Sequence, residues 1–167
     1  SLNDLKFTEV IDWHDGGPTI ESYGSAGDVD NDGFADFFMG IMNWDEDPPW
    51  KQFVVLIFGK KDFPSQFNPL DPKSAGLRSM LFYNGSEIGS IGVAVGRVGD
   101  VNADGLEDFA FSTYAGPGVL DGRKGAGWVY VLFGGFDAKY LASSSNTAIP
   151  VASSAPGAML GTMDQVS

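Results

Sequence analysis

A chain of 167 residues can bury a sizeable core and, on length alone, makes one domain. Its formal charge of −12 argues against nucleic acid or an anionic membrane surface as partner, and the absence of Cys excludes disulfides, thiolate catalysis and thiolate-held metals. Twenty-three Gly and nine Pro among short apolar runs predict an all-β fold of many strands and turns. No apolar run reaches the roughly eighteen residues of a membrane span and no leader-like segment is present, so a soluble chain without membrane insertion is expected.

Along the chain, the single histidine comes first, in Trp13-His14-Asp15-Gly16-Gly17, and reads as a surface turn. With no Gly-x-Ser-x-Gly elbow and no phosphate-cradling glycine loop, the sequence offers nucleophilic or phosphoryl chemistry little to work with, and a non-enzymatic protein is expected. Residues Pro18 to Ala26 are rich in small side chains, which on a strand let another backbone approach closely.

The next stretch organises the whole sequence. Asp28-Val29-Asp30-Asn31-Asp32-Gly33-Phe34-Ala35-Asp36 carries oxygen-bearing side chains at positions 1, 3, 5 and 9 and Gly at position 6. Such a loop can wrap a hard cation: Ca²⁺ takes six to eight oxygens at roughly 2.3–2.6 Å, and a tight turn at Gly lets alternate carboxylates converge. Asp28, Asp30, Asp32 and Asp36, the Phe34 carbonyl and a water would fill the shell. A twin lies 72 residues on, with Asp100, Asn102, Asp104 and Asp108 as side-chain ligands and the Leu106 carbonyl at position 7. An EF-hand would need a bidentate Glu at position 12, where the two loops have Met39 and Phe111. Each site is therefore expected to close on its position 9 Asp, giving two structural Ca²⁺ sites on turns that lead into strands.

The flanks repeat with the loops. Each is followed by a short strand (37–41, 109–113), a polar connection, and six apolar residues ending in Phe-Gly: Phe53 to Phe58 before Gly59, and Trp128 to Phe133 before Gly134. Six apolar residues in a row predict a strand covered on both faces. A further strand is expected over 79–83, closed by Asn84-Gly85, a strong hairpin signal. Asn84-Gly85-Ser86 also fits an N-glycosylation acceptor. The first connection holds Asp45, Glu46 and Asp47 between Trp44 and Trp50, a candidate rim for a sugar or a cationic partner. The segment 148–152 reads as the outer strand of the second unit, where Pro150 would be tolerated. Leu160-Gly161 falls 69 residues after Ile91-Gly92 and marks the start of a third unit. The expected division is therefore 1–78, 79–155 and 156–167: two four-stranded propeller blades and the beginning of another.

On the two loops, the small-residue strands before them and the Phe-Gly ends, the sequence resembles the FG-GAP repeat, the calcium-binding blade of integrin alpha-subunit β-propellers. The resemblance covers about residues 7 to 134. Its Phe-Gly opening is replaced by Thr19-Ile20 and Ile91-Gly92, and its Gly-Ala-Pro by Gly40-Ile41-Met42 and Ser112-Thr113-Tyr114. The resemblance implies an extracellular, secreted or cell-surface module in which Ca²⁺ rigidifies a turn and does no chemistry. It implies partners in adhesion, matrix or surface structures: proteins, with glycans as a further class. Two units and a stub cannot close a ring, so the rest of a longer chain or other copies would be needed. The alternatives are an accessory propeller of a secreted hydrolase or lyase, and a lectin using the Trp44–Trp50 rim.

Overall fold

The computed structural model describes residues 8–10, 19–43, 51–84, 90–114, 128–135 and 147–151. In chain order the strands are β1 (Glu9–Val10), β2 (Thr19–Gly27), β3 (Asp36–Asn43), β4 (Lys51–Ile57), β5 (Gln66–Phe67), β6 (Ser79–Asn84), β7 (Ser90–Gly99), β8 (Asp108–Tyr114), β9 (Trp128–Leu132) and β10 (Thr147–Val151). One turn of 3₁₀ helix spans Pro72–Ala75. No helix among the described residues is long and apolar enough to cross a membrane. The fold is all-β, as the composition predicts.

Two antiparallel sheets carry the structure. The first runs β6-β4-β3-β2 and the second β7-β8-β9. The strand expected over 79–83 forms and pairs with β4, so the first sheet's hydrogen bonding continues past the division drawn after residue 78. The segment expected to edge the second unit does not join it. As β10 it lies parallel to the outer side of β6, with Thr147 opposite Met80 and Val151 opposite Asn84. The second sheet accordingly has three strands among the described residues, not four. Pro150 still sits on an outermost strand, where a missing N–H is tolerated.

Period-two alternation splits the apolar runs of β3 and β4 between two cores. Phe38, Val54, Leu56 and Phe58 face the second sheet and join Met80 and Phe82 against Ile91, Phe109, Phe111, Tyr130 and Leu132. Their neighbours Met39, Ile41, Val55 and Ile57 point the other way, to Phe67 and Leu77, with Phe37, Phe63 and Leu70 packed alongside. The connection 58–78 thus folds over the far side of the first sheet, with β5 paired to β1. β4 is covered on both faces, as its sequence predicts. A one-residue slip of β3 on β4 would exchange the two cores.

Aromatic rings interlock where the sheets meet: Phe82 lies 6.2 Å from Phe109 and 5.5 Å from Phe111, whose other side meets Tyr130 at 5.4 Å. These tilted and edge-on contacts add to the area they bury. Among the described residues of the second sheet, cover on the face away from the first sheet is uneven. Val129 is 70 % exposed and Val131 half-buried while Tyr130 and Leu132 are buried, so one face of β9 is less covered than its unbroken apolar run predicts.

The edge strands β2 and β7 come together through small residues, as the sequence predicts. A Cβ on Gly40 would stand 2.1 Å from the Gly92 carbonyl oxygen, and Ser22 Oγ donates to that same oxygen. Gly40→Ala is therefore expected to destabilise the fold by about 1–3 kcal/mol, since backbone must move to admit one methyl group. At roughly 2–4 °C per kcal/mol for a chain of this size, thermal unfolding should show a clear drop. Gly96→Ala is the control: its Cβ meets nothing within 4 Å, and its melting temperature should be unchanged or slightly raised.

Candidate functional site

Each acidic turn links the first two strands of its sheet, β2 to β3 and β7 to β8. The two turns share one hydrogen-bond frame. In the first, Asp28 Oδ1 accepts from the Asp32 N–H at 2.9 Å and its Oδ2 from the Gly33 N–H at 2.9 Å. Phe34 N–H donates to Asp32 Oδ1 at 2.9 Å. In the second, Asp100 Oδ1 and Oδ2 accept from Asp104 and Gly105 at 3.0 and 2.8 Å, and Leu106 N–H donates to Asp104 Oδ1 at 2.9 Å. The backbone turns left-handed at the same places, Asn31 and Gly33 in one and Ala103 and Gly105 in the other, with φ between 56° and 90°. Gly at position 6 is what makes the tightest of these turns inexpensive.

The position 9 carboxylates are buried and do a second job. Asp36 Oδ2 accepts from Val29 N–H and Oδ1 from Gly59 N–H, both at 2.8 Å. Asp108 repeats this with Val101 and Gly134, again at 2.8 Å. Each carboxylate therefore ties the start of its turn to the Phe-Gly end of the third strand of its sheet. The repeated Phe-Gly, which in the sequence reads only as a strand end, has this docking as its role. A Cβ on Gly59 would lie 2.4 Å from Ala35 O, and one on Gly134 2.4 Å from Glu107 O, so the glycine lets the strand end dock against the turn.

The two turns lie side by side. Gly135 N–H donates to Val29 O at 2.8 Å, and Gly27 abuts the Glu107 side chain, which is itself paired with Arg97.

In the first turn Asp28, Asp30 and Asp36 each offer an oxygen within 4.8 Å of the others, an arrangement that could hold a metal ion. Asp30 carries the observation that fits a cation there. Its side chain is 4 % exposed, and its Oδ1 is buried without a hydrogen-bond partner, a costly state for that oxygen although the other, Oδ2, is ion-paired. Asp32 stands apart from this group. Its Oδ2 and Asp30 Oδ2 are both taken by Arg78 Nη2, at 2.8 and 2.6 Å. Arg78 is not expected from the sequence; it lies 42 residues beyond the turn, and only folding brings it there.

Among the described residues the second turn has no equivalent three-carboxylate cluster. Its position 3 is Asn102, whose Oδ1 accepts from Asp104 N–H and whose Nδ2 donates to Asp104 Oδ2 at 2.7 Å. The position 7 residues lie on the turns, Phe34 exposed and Leu106 half-buried. The other candidates, Trp44, Asp45, Glu46, Asp47 and Trp50, lie outside the described residues, as do the Asn84 side chain and Gly85-Ser86 of the glycosylation pattern. No family model, no curated protein and no solved structure matches the chain.

Burial pushes the Asp36 carboxyl up from 3.8 to about 6. Its two backbone hydrogen bonds oppose the shift, and repulsion from Asp30 and Asp32 adds to it. Because the folded value lies above the unfolded one, the contribution of protonated Asp36 to stability is fully present below about pH 4 and is lost as pH rises through 6. In EDTA the urea midpoint should accordingly be higher at pH 5 than at pH 7, by on the order of 1–2 kcal/mol of stability. A midpoint that rises from pH 5 to 7 would contradict this account of Asp36.

Proposed function

We propose that the chain is a pair of calcium-stabilised FG-GAP blades, part of a partial or assembled β-propeller, serving as a non-enzymatic extracellular binding module. The observation that supports this most is the duplicated turn. Two nonapeptides 72 residues apart repeat one hydrogen-bond frame, side by side, at matching corners of two stacked sheets. Chance acidic turns have no reason to share this frame. A buried, unpartnered Asp30 oxygen among two further carboxylates supports a cation as the missing partner.

In this reading the metal's chemistry is that of a hard cation gathering oxygens, and the chain's own residues do the rest. Asp28, Asp30, Asp32, Asp36 and the Phe34 carbonyl form the first ligand set; Asp100, Asn102, Asp104, Asp108 and the Leu106 carbonyl form the second. Ca²⁺ neutralises charge that would otherwise repel within a chain of −12 and takes over the stapling role that disulfides play in other secreted proteins. The module is read as a secreted or cell-surface element of adhesion, matrix or surface structures, contacting protein or glycan partners through exposed parts of its sheets and loops.

Calorimetric titration with CaCl₂ should give two ions per chain. Calcium at a hundred times the dissociation constant of a site should add about 2.7 kcal/mol for that site, visible as a rise of roughly 5–10 °C in melting temperature and reversed by EDTA. Asp104→Ala should remove one of the two ions and leave the other. An unchanged thermal scan with calcium, EDTA and this substitution would overturn the proposal.

A further inference from the structure

The two turns are not electrostatic copies. The first has a carboxylate at every side-chain ligand position, Asp28, Asp30, Asp32 and Asp36; the second has Asn102 at position 3. What the first turn has in addition is Arg78. Its Nη2 bridges Asp30 and Asp32, its guanidinium lies 4.9 Å from the centre of the Phe58 ring, and its carbonyl accepts from Phe58 N–H at 3.1 Å. The side chain is thus held from both ends, by a ring beneath it and two carboxylates ahead of it. The residue 72 positions on is Pro150, which brings no charge, and among the described residues no ion pair reaches Asp100, Asp104 or Asp108.

Both turns satisfy the same atom, the second oxygen of their position 5 Asp, by different means. Asn102 Nδ2 donates to Asp104 Oδ2 from within the second turn. In the first turn position 3 is a carboxylate and cannot donate, so Arg78 donates to Asp32 Oδ2 from outside and holds Asp30 Oδ2 as well. That leaves Asp30 Oδ1, buried and without a partner, as the oxygen free for an external cation. With one positive charge against four carboxylates, the first turn matches the second turn's three.

We infer that Arg78 is the resident counter-cation of the first turn, standing in for the amide of Asn102, and that it sets how strongly this turn takes a divalent cation. The inference rests on the calcium reading above. It has two consequences of opposite sign. Without metal, the guanidinium holds together carboxylates that would otherwise repel. With metal, the same positive charge opposes the incoming ion, because the two cations share Asp30 and stand on either side of one carboxylate.

The experiment uses the Asp104→Ala background, in which the first turn is the remaining site, and CaCl₂ as the probe. Arg78→Gln should lower the melting temperature in EDTA by roughly 2–6 °C and tighten calcium binding on the order of tenfold. Arg78→Lys, which keeps the charge, should leave calcium affinity near that of the parent. Asp30→Asn combined with Arg78→Gln reproduces the second turn's chemistry, and should recover most of the melting temperature lost by Arg78→Gln alone, the coupling expected of a direct pair. Calcium affinity unchanged or weakened by Arg78→Gln would overturn the inference while leaving the calcium reading intact. No calcium uptake by any of these proteins, nor by the unsubstituted chain, would overturn both.

Discussion

The structure depends on two buried carboxylates, each gripped by a pair of backbone amides. Asp36 and Asp108 lie where a strand begins, yet each spends its oxygens on N–H groups from elsewhere: one in its own turn, one at the end of the third strand of its sheet. A carboxylate removed from water must recover its hydration from fixed donors. Here the donors belong to segments that have to stay together for the sheet to keep its corner. The turn, the second strand and the third strand end are thereby fixed relative to one another before any side chain in the core is considered.

That corner decides how the cores form. With β3 pinned against the end of β4, the register that sets Phe38 opposite Leu56 and Met39 opposite Val55 follows, and with it the sorting of alternate residues onto two sides. Phe38, Leu56 and Phe82 then meet Phe109 and Phe111 of the second sheet, and the close approach of Gly40 in β3 to Gly92 in β7 sets how near the two sheets stand there. Polar anchoring and apolar packing are two readings of one alignment.

Much of this was legible in the residues. The repeated Asp-rich turns, the strands that follow them and the small residues of β2 and β7 all show themselves in local pattern, because turn chemistry and period-two alternation are local effects. What escaped depended on contacts distant in sequence. Arg78 looks like any surface arginine until the chain brings it to Asp30 and Asp32. The apolar residues scattered through 58–78 have no regular period, so nothing in them announces that they cover Met39 and Val55. The residues around Pro150 fit an edge strand, but edge strands carry no signal naming the sheet they join. In Trp128 to Phe133 an unbroken apolar run implied cover on both faces, while the structure leaves Val129 exposed: hydrophobicity reports suitability for burial, not whether a neighbour is there.

The two sheets end differently, and this gives the pair a direction. One flank is upholstered by the chain's own 58–78 segment, down to the Phe37, Phe63 and Phe67 rings; the opposite flank presents Val129 to water. Another layer laid on the first flank would have to evict residues already seated there, whereas Val129 holds an apolar side chain that such a layer could meet without displacing anything described. Duplication of the repeat has therefore not produced two interchangeable halves: the acidic turn is copied, while the surroundings of the two outward faces differ.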